Sequence, residues 1–242
     1  MSEKTCCKNM WSSVGRKFMT GITGLLLIGF LVAHLAGNLL LLVGQDAFNH
    51  YAHFLEHALH GALIYIAEAG LLAIFLIHIA SAAKVQLSKH TARTTRYARS
   101  ENAGGTSRKS ISSMSMIFTG AVLLVFVVLH IIHFKFGPKE MYIAHDGTEM
   151  KDLYSLVVHE FHKPLMVILY MTVMVMMGTH LFHGAWSAVQ SLGWTRKSTL
   201  PYVIVVGSTL AVVLAVGFLL LPLIISFMPD PLASGAANGG AK

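Results

Sequence analysis

Charge is scarce in this chain. Asp, Glu, Lys and Arg together make up 12% of its 242 residues, against 55% hydrophobic residues, whereas a soluble globule normally carries about a quarter charged residues. That shortage excludes a water-soluble domain and puts the chain in lipid. Cysteine is nearly absent as well. Cys6 and Cys7 are the only two, adjacent in a polar N-terminal stretch, and two neighbouring thiolates cannot hold an iron–sulfur cluster. No Cys-x-x-Cys-His run exists for covalent attachment of a porphyrin. The formal charge of +7 does not indicate nucleic-acid binding, because the basic residues cluster in short segments beside apolar runs, where membrane orientation is encoded.

What the chain has in abundance is apolar length. A hydrocarbon core roughly 30 Å thick needs about 20 apolar helical residues, and stretches at approximately 18–43, 61–83, 114–136, 164–188 and 200–227 meet that length. The first run is about 25 residues long with no small-residue cleavage site after it, which predicts a retained span rather than a signal peptide. Pro164 and Pro201 stand at the starts of the last two runs, where a missing N–H costs least, and Pro222 lies inside the fifth and predicts a kink. The expected fold class is an all-α membrane protein of five transmembrane helices: a four-helix bundle of spans one to four plus a peripheral fifth helix. The expected organisation is a cytoplasmic N-terminal segment 1–17, a membrane domain 18–227 and a disordered, Gly/Ala/Ser-containing tail 228–242.

Lysine and arginine in short connections resist translocation. They gather before span one (Lys4, Lys8, Arg16, Lys17), between spans two and three (Lys84, Lys89, Arg93, Arg96, Arg99, Arg108, Lys109) and between spans four and five (Arg196, Lys197). The connection between spans one and two has none. The predicted arrangement is a multi-pass protein of the cell inner (cytoplasmic) membrane, N-terminus inside and C-terminus outside.

Ionisable groups at membrane depth are costly and usually functional. Apart from Glu68 and Lys135 near span ends, the spans hold no Asp, Glu, Lys or Arg, but they do hold His34, His78, His130, His133, His180 and His183. At 1.5 Å per residue, His34 and His130 lie roughly 6 to 13 Å from the outer ends of their helices, and His78 and His180 about 8 to 12 Å from the inner ends. One pair therefore sits in each leaflet. Neutral imidazoles on facing helices of a bundle can clamp a haem from both sides. The expectation is two b-type haems, an outer one between His34 and His130 and an inner one between His78 and His180, on the order of 10 Å apart. Small residues beside the ligands make room for a flat macrocycle: Gly37 after His34, Ser81 and Ala82 after His78, and Gly184 after His180. Span three offers only Gly120, well before His130. On spacing alone His133 and His183 are alternative ligands, sharing faces with His130 and His180; helix-end hydrogen bonds are the favoured role for both.

Two other patterns have plainer readings. Met166, Met171, Met174, Met176 and Met177 spread around span four, which suits adaptable packing rather than a copper site. His50, His53, His57 and His60 recur at helical spacing in the first connection, so an amphipathic helix there would align all four at the interface.

The stretches FLVAHLAGN around His34, DAFNHYAHFL after it, IFLIHIASAAK around His78, VVLHIIH around His130 and GTHLFHGAWSAVQSLGW around His180 together resemble the diheme cytochrome b membrane anchor of succinate:quinone oxidoreductases and quinol:fumarate reductases. Their order and spacing carry the resemblance over most of residues 16–194. It implies that the first and third spans share one haem and the second and fourth the other, and it selects His130 and, four residues before Gly184, His180. It further implies a flavoprotein and an iron–sulfur subunit docked on the inner face, with electrons passing between the iron–sulfur subunit and a membrane quinone, menaquinone being preferred. The chain would then be the redox subunit of such an enzyme, without its own dicarboxylate site, and the whole complex can oligomerise. Outer quinone candidates are His50, His53, Glu56 and Glu68; inner ones are Thr20, Lys84 and Trp186. Arg16, Lys17 and Arg196 are basic residues available for haem propionates. Some members carry a glutamate, linked to transmembrane proton movement, where this chain has Gly178, so that route is not implied here. The alternatives are a cytochrome b anchor of a hydrogenase or formate dehydrogenase, and a proton-coupled metal transporter, which would need membrane carboxylates that the spans nearly lack.

Overall fold

The computed structural model describes residues 12–91, 111–138 and 140–232. The expected tail beyond 232 and most of the basic second connection lie outside these residues. Five helices are long and apolar enough to cross a membrane: Ser13–Leu42, Ala62–Ser88, Ser115–Lys135, Pro164–Ser191 and Leu200–Ile225. They are spans one to five of an all-α membrane protein. Each coincides with an apolar run of the sequence to within a few residues, because in lipid the backbone must satisfy its own hydrogen bonds and length alone decides where a helix can stop.

Span one starts earlier than its apolar run does. Ser12 caps it by accepting from the Gly15 N–H at 3.0 Å, which draws Arg16 and Lys17 into the first turns. Span one then packs on spans two, four and five, span four on spans three and five. Neither spans one and three nor spans two and four are among these packed pairs. Contacts of this kind in lipid rest on small residues that let helices approach. A side chain at Gly21 would meet the Ala188 carbonyl at 3.0 Å, and one at Gly207 would meet the Trp186 backbone at 3.0 Å. The fifth helix is more than a peripheral addition: it buries Ala211, Leu214, Leu221 and Ile225, and Gly217 admits the Leu35 side chain of span one.

Two short helices and a hairpin form a cap over one end. Helix α2, Gln45–His57, follows span one. Strands β1, Met141–Ile143, and β2, Glu149–Lys151, pair antiparallel, and helix α5, Leu153–Phe161, follows them, the helices being numbered in chain order with the spans as α1, α3, α4, α6 and α7. Hairpin and α5 lie in the connection between spans three and four. Asp152 binds the pieces together: it caps α5 through the Ser155 N–H at 3.0 Å and accepts from the Asn49 amide at 2.9 Å and the Gln45 amide at 2.8 Å. Asn49, fully buried, returns its own carbonyl to the Tyr154 N–H at 2.9 Å.

Two expectations are corrected here. The first-connection helix ends at His57, and Leu59, His60 and Gly61 follow in left-handed conformations (φ 52°, 56° and 82°) that turn the chain into span two, so His60 leaves the face of His50, His53 and His57. Residues 228–232 are part of the structure, with Asp230 held 3.0 Å from His159 of α5.

Candidate functional site

His34, His78, His130 and His180 all lie half-buried inside the bundle, on pairs of spans that do not pack directly on one another. The first pair is in contact: the His34 and His130 rings meet edge to face with centroids 5.8 Å apart.

The two pairs differ in their surroundings. Phe30 stacks on His34 at 5.3 Å, and Phe218 of span five tilts against it at 5.8 Å. His130 is flanked by Phe126 and Phe134, and its Nδ1 lies 3.1 Å from the buried Tyr170 hydroxyl. The other pair is gripped by hydroxyls instead. Thr23 Oγ1 lies 3.2 Å from His78 Nδ1, and Thr119 Oγ1 3.1 Å from His180 Nδ1. In three of the four rings the Nδ1 is thus engaged, which leaves Nε2 as the nitrogen available to a ligand. A bis-imidazole haem needs one such nitrogen from each side, and this donor set fits it. Among the described residues, no group of three or more His, Cys, Asp or Glu is placed to hold a metal ion.

The neighbouring histidines have other partners. His133 Nε2 lies 2.9 Å from Glu160, a buried carboxylate that also accepts from Lys163 at 2.6 Å. His133 lies within a π-helical turn, Ile131–Lys135, that directly follows His130, and such turns recur at functional sites. Burial pushes the Glu160 carboxyl up, but Lys163 and His133 outweigh it and hold it below its ordinary value. His183 packs edge-on against Trp186 at 4.9 Å.

The space-making residues are redistributed relative to expectation. The notch at Gly37 is filled by Tyr51 of α2, whose ring lies 2.6 Å from where a Cβ would stand, so it serves the cap rather than a macrocycle. Ser81 is engaged by Thr20 at 2.9 Å. Gly184 is open, its nearest neighbour being Met116 at 3.9 Å. Gly120 lies against His180 rather than His130, and Gly24 lies against His78 in the same way.

Of the outer quinone candidates, His53 and Glu56 line one small cavity with Ala52, Lys151 and Leu153. Its volume of about 20 Å³ holds a single water and is far too small for a quinone ring. Glu56 pairs with Lys151 at 3.1 Å, His50 with Asp146 at 3.6 Å, and Glu68 with Lys135. Of the inner candidates, Thr20 bonds Ser81, the Lys84 carbonyl accepts from Arg16 at 3.5 Å, and Trp186 backs onto Gly207 and His183. Arg16 also donates to Ser88 at 2.9 Å, so it clamps spans one and two. A groove of about 350 Å³ between spans four and five is apolar, and none of the candidate ligands lines it.

Sequence reasoning missed Thr23, Thr119, Tyr170 and Phe218. Polar hydroxyls inside apolar runs look like neutral filler until the fold brings them to a histidine on another helix. Comparison with family models, curated proteins and solved structures gives no match for this chain.

Proposed function

We propose that the chain is the diheme cytochrome b membrane anchor of a succinate dehydrogenase or fumarate reductase complex, carrying electrons between an iron–sulfur subunit and membrane quinone. The observation that supports this most is the ring contact of His34 with His130 across spans one and three, which are not among the packed pairs, beside His78 and His180 each met at Nδ1 by a threonine hydroxyl. Each haem b, once bound, supplies a one-electron carrier at a fixed depth.

The chain's own residues do the rest. His34 and His130 hold the outer position, with Phe30, Phe126, Phe134 and Phe218 keeping water from it. His78 and His180 hold the inner one. The basic segments facing the cytoplasm offer a docking face to the iron–sulfur and flavoprotein subunits. Quinone would exchange electrons at one end of the bundle, the outer candidates being His50, His53, Glu56 and Glu68 and the inner ones Thr20, Lys84 and Trp186.

Isolation of the protein from its own membranes tests the reading. Covalent or tightly bound flavin, iron–sulfur clusters and haem reduction by succinate or reoxidation by fumarate are expected in the purified complex. Co-isolation with a hydrogenase or formate dehydrogenase subunit instead would overturn the assignment of partner while leaving the haem sites standing.

A further inference from the structure

Spans one and three carry the same short pattern, a Thr-Gly pair with a histidine ten residues beyond the glycine: Thr23-Gly24 before His34 and Thr119-Gly120 before His130. The structure puts the two copies to the same use. In each, the threonine faces a histidine of the following span, and the glycine beside it opens the space for that ring. A Cβ at Gly24 would stand 3.4 Å from His78 Cε1, and a Cβ at Gly120 would stand 3.4 Å from His180 Cε1.

The hydroxyl geometry is also duplicated. Thr23 Oγ1 donates to the Met19 carbonyl at 2.6 Å, and Thr119 Oγ1 donates to the Ser115 carbonyl at 3.0 Å. A hydroxyl has one proton, and here it is spent on the carbonyl one turn back. With the proton so placed, a lone pair faces the imidazole, and the ring group that can donate to it is the Nδ1–H of His78 and of His180. That selects the tautomer whose Nε2 lone pair is free for a metal. Among the described residues the outer pair has no such device: Tyr170 can donate to His130 as readily as accept, and His34 sits between the rings of Phe30 and Phe218.

We propose that Thr23 and Thr119 are a matched pair of positioning residues, which hold His78 and His180 in the metal-binding tautomer and set the electron-donating strength of the inner site alone. The proposal rests on the haem reading above. An imidazole that donates through Nδ1–H to an acceptor is the more basic ligand at Nε2 and favours ferric over ferrous iron. Removing the acceptor therefore raises the inner midpoint potential and weakens haem retention, by about 10- to 100-fold if the effect is of the usual size for such outer partners.

Redox titration of the purified complex, followed optically and by electron paramagnetic resonance, decides the matter for Thr23→Val, Thr119→Val, the double variant, Thr23→Ser and Thr119→Ser. Each valine variant should shift the inner haem upward or lose it. The shifts should be similar and add in the double variant, and the serine variants should restore the parent behaviour. The outer haem should stay unmoved throughout, which certifies the fold. Two intact haems with an unchanged inner potential in the valine variants would overturn the proposal alone. Parallel shifts of both haems would overturn it too, and parent protein without any b-type haem would overturn the reading beneath it.

Discussion

The rings of His34 and His130 meet edge to face with centroids 5.8 Å apart, although their helices, spans one and three, are not a packed pair. In the proposed function, these two helices, which stand off from each other while bringing their imidazoles together, form a clamp for a haem. His78 and His180 likewise stand on spans two and four, which are not a packed pair.

Independence of the two clamps is the first consequence. His34→Ala and His130→Ala should each remove the outer haem and spare the inner, whereas His78→Ala and His180→Ala should do the reverse. Absorption spectra of the reduced variants check this, and it fails if His34→Ala and His78→Ala remove the same haem.

Among the described residues, Tyr170 is the one hydroxyl partner of the outer pair's rings. Tyr170→Phe deletes a single buried hydrogen bond, worth about 1 kcal/mol, and should perturb the spectrum and potential of the outer haem only. An inner haem that moves with it would show that the residue acts through general packing.

Gly178 occupies the place where some members of the resembled family carry a glutamate. A Cβ there would stand 2.8 Å from the Ala215 methyl of span five, so this helix pair leaves no room for any side chain. Gly178→Ala should cost about 1 to 3 kcal/mol through overpacking, read as a lower Tm in detergent, and Gly178→Glu should cost more.

The cap should be acid-labile. Tyr142 and His145 hold the Asp46 carboxyl below its ordinary value, the Thr148 backbone N–H does so for Asp146, and Lys163 and His133 do so for Glu160 against its burial. A carboxylate with a depressed folded value contributes stability that is complete above its unfolded value and is lost as pH falls through the folded one. Hydrogen exchange in Gln45–His57 and Leu153–Phe161 should therefore accelerate from about pH 5 downward, before exchange in the spans. Asp46 in turn pushes the Tyr142 phenol up to about 12; Asp46→Asn should bring it back down, which ultraviolet titration measures.

The membrane architecture was legible in the sequence because a span needs little more than apolar length, and the four histidines stood out because almost nothing else ionisable entered those spans. Depth along each helix then paired them. Their hydroxyl partners were hidden, since nothing in one sequence says which face of span one turns toward span two; only the repeated Thr-Gly pairs at 23–24 and 119–120 hinted at it. The cap was hidden for a different reason. Asp152, Asn49 and Gln45 join segments far apart in the chain, and the strands between them are too short for any periodicity to announce them. His60 was misplaced because the left-handed turn at Leu59 and His60 is imposed by the entry into span two, not by local propensity.

The proposed function requires two haems in this chain, and counting them tests it most directly. Reduced-minus-oxidised spectra of the purified protein, combined with haem extraction and protein quantitation, should give two b-type haems per chain with distinct midpoint potentials. One haem, or none, would contradict the account.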